Sequence, residues 1–244
     1  MIMDKALEMN NITFGYNDIP VLKDVSFYVE RGDYMAIIGP NGAAKSTLMK
    51  LALGELNPWK GSVRLFGRDI KKFKEWGKVG YLSQYATHIN TSFPATVEEI
   101  VMTGTREWLR PFGGGDLRKK AGNMLDTVGM GNVRHKLIGD LSGGQRQRVF
   151  LARLLIGSPE IIFMDEPTTG IDAIAQAEFY KLLDDMRKVY NLTIVIVSHD
   201  INSVLKRANK VACVGKNGAH VHNSPNLAQQ HLAEVFGYGI YGEE

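Results

Sequence analysis

Between residues 6 and 30 apolar and polar positions alternate, clearest at Val25, Phe27 and Val29. The segments ALEMNNITFGY and VLKDVSFYV therefore predict antiparallel strands with one solvated face. Three later segments, YMAIIG, IIFMDE and TIVIVSHD, are short and continuously apolar, the pattern of parallel strands buried on both faces. After the first of these, Leu48, Leu51, Ala52 and Leu56 recur at i, i+3, i+4 and i+8, which predicts a helix ended by Asn57-Pro58. Phe179, Leu182, Leu183, Met186 and Tyr190 repeat the helical spacing ahead of NLTIVIV. Alternating segments of this kind predict an α/β fold with a mainly parallel sheet and an N-terminal antiparallel β subdomain.

From about residue 88 to 150 the pattern becomes helical stretches broken by RPFGGGD, with Asp116 expected as a helix N-cap. The expected organisation is one domain over 1–244: a core with the antiparallel subdomain from 1–87 and 151–215, a helical subdomain at 88–150, and a tail at 216–244. The tail reads as a turn, one short helix and an end segment. The 29 basic and 26 acidic residues leave a net charge of +3, well short of the balance expected for nucleic-acid binding by bulk electrostatics. Cys213 is the only cysteine, so no intrachain disulfide forms, and a reducing compartment fits. The apolar runs fall far short of the roughly 20 residues that span a bilayer, and the N-terminus lacks a signal-peptide pattern. A soluble chain resting on a membrane partner is the expectation.

The candidate chemistry begins at GPNGAAKST, between a buried strand and a helix. A loop here can turn backbone N–H groups inward, and those donors together with the helix dipole favour a polyphosphate. Gly39 and Gly42 supply flexibility, Lys45 would face the β- and γ-phosphates, and the Ser46 hydroxyl would ligate Mg²⁺. Ala44 stands where the strict pattern has glycine. A left-handed backbone there would cost about 1 to 2 kcal/mol, whereas near-helical dihedrals would cost little. The expectation is the second, with the methyl directed away from phosphate.

IIFMDEP delivers two adjacent carboxylates at a strand end: Asp165 suited to Mg²⁺ and its waters, Glu166 to polarising an attacking water. TIVIVSHD delivers His199 at another strand end, and Gln84 follows a short apolar segment. Alone each has a bland alternative, a structural histidine or a polar loop residue. LSGGQRQRV opens a helix with a serine and glycines, a second anion-binding helix start that one triphosphate cannot readily use together with the first. His220 and His222 supply only part of a zinc site.

Taken in order, GPNGAAKST, LSGGQ, IIFMDEP, TTGID and IVSHD resemble the nucleotide-binding subunit of an ABC transporter over essentially the whole chain, which implies a P-loop NTPase core with a helical insertion subdomain. The resemblance implies ATP and Mg²⁺ as cofactors. It also implies a second copy of the chain, facing head to tail, with ATP between the loop of one copy (Gly39, Pro40, Asn41, Gly42, Ala43, Ala44, Lys45, Ser46, Thr47) and Ser142, Gly143, Gly144 and Gln145 of the other. By the same resemblance Tyr16 stacks on adenine and Asp172 joins the dimer contact, with Glu166, His199, Lys45 and Gln84 as the catalytic set. The region around Gln84 and the helical insertion would dock onto an integral membrane permease at the cytoplasmic face, the permease in turn meeting an extracytoplasmic substrate-binding protein. FPATVEEIVMTG and LAEVFG resemble importers for zinc, manganese or iron, with chelated-iron and cobalamin importers next. A soluble ABC-type ATPase acting on nucleic acid or the ribosome is the competing class, but the coiled-coil insertion or second cassette of those relatives is missing. A third reading is a module that binds ATP but has lost turnover through Ala44.

Overall fold

The computed structural model describes residues 4–84, 94–109, 114–215, 218–226 and 228. In chain order the first elements are β1 (Lys5–Tyr16), β2 (Ile19–Glu30), β3 (Tyr34–Ile38), α1 (Lys45–Ala52), β4 (Lys60–Leu65), β5 (Arg68–Asp69) and β6 (Val79–Leu82). Then come α2 (Val97–Met102), α3 (Gly114–Thr127), α4 (Gly143–Leu155), β7 (Ile161–Asp165) and α5 (Ala173–Tyr190). The last are β8 (Thr193–Val197), α6 (Ile201–Leu205), β9 (Lys210–Gly215) and β10 (Gly218–His222). The elements form two compact units, one from residues 1–74 with 193–244 and the other from residues 75–192.

In the first unit β1 pairs antiparallel with β2 on one edge and β4 on the other, so Leu7 faces both Val29 and Leu65. The alternation read from the sequence puts Leu7, Met9, Ile12 and Phe14 of β1 on the buried face with Val25, Phe27 and Val29 of β2. β3 runs parallel between β8 and β9, with Ala36 opposite Ile196 and Val211, and every residue of β3 and β8 is buried. The continuously apolar runs are therefore strands covered on both faces.

A buried ionic knot fixes the start of β3. Lys210 Nζ lies 2.8 Å from Asp33, 3.0 Å from Glu30 and 4.1 Å from the centre of the Tyr28 ring. Asn209 donates to Asp33 at 2.7 Å and accepts the Tyr34 N–H at 2.7 Å. Burial pushes the Lys210 ammonium towards neutrality, but its hydrogen bonds to Asp33 and Glu30 outweigh that and hold its pKa above the ordinary lysine value.

Three expectations are corrected here. α1 stops at Ala52 rather than running to Asn57-Pro58, because Gly54 (φ 71) turns left-handed and donates back to Leu51, a glycine stop. Asp116 lies inside the first turn of α3, which opens at Gly114, so its charge meets the helix dipole without capping it. The tail is not simply a turn, a helix and an end segment. Gly218–His222 forms β10, which pairs antiparallel with β9 and satisfies that strand's outer backbone groups. LAEVFG lies outside the described residues, as does most of FPATVEEIVMTG ahead of Pro94.

In the second unit β6 and β7 pair in parallel, Leu82 opposite Met164, so both strands end at the same level. The helical region predicted between 88 and 150 contains α2, α3 and the start of α4, which pack against one another. Thr96 and Glu99 form a reciprocal cap on α2, and hydrogen bonds from the Thr96 backbone and hydroxyl hold the Glu99 carboxyl below its usual range.

Candidate phosphate and acid sites

Within the first unit, the end of β3 feeds a loop onto the start of α1. A Cβ at Gly39 would fall 2.1 Å from the Val214 carbonyl oxygen, so the loop leaves the sheet along a path only glycine can take. Lys45 curls back over this loop: its buried ammonium donates to the carbonyls of Gly39 at 2.8 Å and Pro40 at 3.0 Å, and Ala43 N–H meets the Pro40 carbonyl. Asn41, Gly42 and Ser46 are exposed, while Thr47 is buried. The Tyr16 hydroxyl lies 3.2 Å from Thr47 Oγ1. Tyr16 itself is 48% exposed, which rules out the core-aromatic reading, and its ring meets Phe14 edge to face at 5.1 Å. His199 is exposed just beyond β8, whose next residue, Ser198, donates its N–H to Ile37 of β3.

Ala44 overturns the helix-compatible expectation. It sits at φ 67, ψ 23, left-handed, as the residue preceding α1, and it makes no side-chain cap. The cost is about 1 to 2 kcal/mol. Among the described residues nine non-glycines have positive φ, and five are Asn or Asp, which tolerate it; Ala44 and Glu166 (φ 49) are two of the four that do not. The loop takes a left-handed step into α1, and the chain holds an alanine in it. Ala44 supplies no side-chain oxygen to cap the first turn of α1, the place where an anion is favoured at a helix start.

Within the second unit, Asp165 closes β7, almost fully buried, and Glu166 follows in its left-handed bend. Thr169 N–H donates to the Glu166 carbonyl at 3.2 Å and its hydroxyl donates to the Glu166 carboxylate at 3.3 Å. Gln84 is half-buried just past β6, level with the β7 end. Ser142 caps α4 by accepting from Gln145 N–H at 3.3 Å, while the Gln145 amide oxygen accepts Ser142 N–H at 3.0 Å. A Cβ at Gly144 would meet Ala175 at 2.8 Å and one at Gly143 would meet Ile171 at 3.0 Å, so both glycines let the α4 start sit against the start of α5. Asp172 caps α5 through Ala175 N–H at 2.9 Å.

Two residues escaped the sequence reading. Gln147, buried to 1% exposure, donates its amide to the Pro167 carbonyl and so ties α4 to the segment after Glu166. Its signal is a polar residue in the i, i+4, i+8 stripe with Leu151 and Leu155. Thr169, in the TTGID run, holds Glu166 and carries no comparable signal. His220 and His222 sit two apart on β10, and among the described residues no group of three or more metal-binding side chains forms.

A family model described as ABC transporter matches residues 22–169. The chain is 39% identical over 216 residues to the zinc uptake system ATP-binding protein ZurA of Listeria innocua, covering 88% of this chain and 84% of that one. It is 35% identical over 217 residues to the manganese transport system ATP-binding protein MntB of Halalkalibacterium halodurans, again covering 88% and 84%. The solved structure of CbiO1 from Clostridium perfringens, part of the ABC transporter complex CbiONQ, superposes with a TM-score of 0.82 at 26% identity, covering 98% of this chain and 96% of that one.

Proposed function

The chain belongs to the ABC transporter family, and on that premise we propose that it is the ATP-hydrolysing subunit driving import of a divalent metal ion, zinc, manganese or iron, through a separate membrane permease. The observation that carries the reading is the pairing of chemistries: a left-handed loop that leaves the α1 donors uncapped beside Lys45, and a buried strand that ends in Asp165 and Glu166. The first suits a triphosphate and the second suits metal-assisted attack by water.

In the proposed reaction Ser46, Gln84 and Asp165 would hold Mg²⁺, whose charge draws electron density from the transferring phosphoryl oxygens. Lys45 and His199 stabilise charge on the γ-phosphate, and the Gly39–Thr47 loop grips the phosphates through backbone N–H groups. Glu166 polarises the attacking water, with Thr169 fixing its carboxylate. Tyr16 offers its exposed ring to adenine. A second copy presents Ser142, Gly143, Gly144 and Gln145 to the same nucleotide, and Asp172 joins that contact. Residues 1–87 and 151–215 act as the nucleotide-binding core, and 88–150 with the Gln84 loop face the permease. Among the described residues no helix is long and apolar enough to cross a membrane. The reading places the subunit at the cytoplasmic face as a peripheral partner of the permease, which would receive cargo from an extracytoplasmic binding protein.

The test is ATP hydrolysis by the chain reconstituted with its permease in vesicles, with the binding protein loaded in turn with zinc, manganese or iron. Stimulation by one of these ions is expected. A complex that no divalent ion stimulates, or a chain stimulated instead by nucleic acid, would contradict the reading.

A further inference from the structure

Gln147 is the odd residue on the buried face of α4. It shares that face with Leu151 and Leu155 and is buried as deeply as they are, yet it carries an amide where leucine or methionine would fill the space. Its nitrogen donates to the Pro167 carbonyl, and because a carbonyl can only accept, this contact settles which way round the amide sits. Among the described residues the amide oxygen meets no donor. A buried acceptor without a donor costs at least as much as one made hydrogen bond returns, so the side chain adds little or nothing to stability. Its place on the helix calls for another explanation.

That explanation lies in the segment it holds. β7 ends at Asp165, and the chain then turns through Glu166 at φ 49 into Pro167 and Thr168, both buried. A left-handed residue other than glycine persists only where its surroundings over-determine it. Thr169 supplies one restraint, its N–H on the Glu166 carbonyl and its hydroxyl on the Glu166 carboxylate. Gln147 supplies another from a separate helix, at the carbonyl of the very next residue. The proline ring already fixes φ at Pro167, so a hold on its carbonyl leaves the Glu166 backbone few ways to turn.

We propose that Gln147 is a positioning residue for Glu166: through the Pro167 carbonyl it sets the direction in which the carboxylate meets the attacking water. The inference rests on the reading of Glu166 as the group that polarises water, and it adds the residue that aims it. At 1% exposure Gln147 is sealed from solvent and touches neither nucleotide nor water, so it acts only through the backbone it grips. The amide is kept at this apolar position because aim matters more to turnover than the orphan oxygen costs the fold.

The experiment places Gln147→Met in the full chain reconstituted with its permease. Methionine is close to glutamine in length and volume, and it removes the donor and the orphan oxygen together. The kcat for ATP hydrolysis should fall by about 10-fold or more, with KM and ATP binding unchanged, the pattern of a misaimed reacting group. The melting temperature should move by no more than about 4 °C. In a Glu166→Gln background the group to be aimed is gone, so adding Gln147→Met should lower single-turnover hydrolysis by less than about 2-fold. An unchanged kcat, a loss carried by KM, an equal loss in both backgrounds, or a much larger fall in melting temperature would each overturn the inference and leave the ATPase reading intact. Glu166→Gln turning over like the unsubstituted chain would overturn both.

Discussion

The starts of α1 and α4 are both glycine-containing and both suited to anions, yet the chain finishes them in opposite ways. α4 is closed by a reciprocal cap between Ser142 and Gln145, which satisfies the N–H groups of those two residues within the chain. α1 follows a left-handed Ala44 that offers no side-chain oxygen, so no N-cap side chain takes its donors and the backbone carries strain. The difference teaches that the two helix starts serve different moments. On the proposed reading α1 is built in advance for a ligand at a cost in stability, whereas α4 is stable by itself and would exchange its own cap for a phosphate brought by a second copy.

The comparison can be broken most forcefully at Lys45, whose ammonium closes the α1 loop. Lys45→Ala should weaken ATP binding by about 10- to 100-fold, the value of a charge-assisted hydrogen bond, with the melting temperature little changed; titration with a fluorescent ATP analogue would show it. At α4 the balance should reverse. Ser142→Ala should cost about 1 kcal/mol of stability by denaturant titration while leaving ATP binding to the isolated chain untouched. The α2 cap provides a control with no ligand role. Because the Glu99 carboxyl is held below its unfolded value, its contribution is fully present above the ordinary glutamate pKa and disappears as pH falls through the depressed one. Thr96→Ala should therefore lose about 1 kcal/mol at neutral pH and show a shallower loss on acidification.

The smallest effect is expected at Ala44. Ala44→Gly removes the strain of the left-handed backbone but adds chain entropy, for a net gain of about 0.5 to 1 kcal/mol in stability. ATP affinity should rise by no more than a few-fold. Restoration of hydrolysis from nothing would instead mean that the alanine had disabled the site.

How far the sequence could be read follows from which signals are local. The β1 and β2 alternation, the buried β3, β7 and β8 runs, and the two helix starts each depend on neighbours in the chain, and they appear where the pattern puts them. The α1 end was misplaced because the hydrophobic period continued to Leu56 while a single glycine, Gly54, set the stop. Ala44 was misjudged for a related reason. In sequence an alanine next to a helix favours the low-cost helical description, and only the closed loop, with Lys45 bonded to Gly39 and Pro40, holds it in the left-handed one. β10 was hidden because its reason to exist is the open edge of β9, a partner fixed only after folding. Gln147 and Thr169 act through contacts with Pro167 and Glu166, across a helix packing and a turn that residue type alone does not disclose.

The central claim is that the open loop and the acidic strand end together make this chain an ATP hydrolase, with Glu166 polarising the water. Steady-state phosphate release by Glu166→Gln, measured beside ATP binding by the same protein, tests it most directly. The account predicts a fall in turnover of about 100-fold or more, the usual worth of a positioned general base, with ATP binding retained. Turnover equal to that of the unsubstituted chain would contradict it.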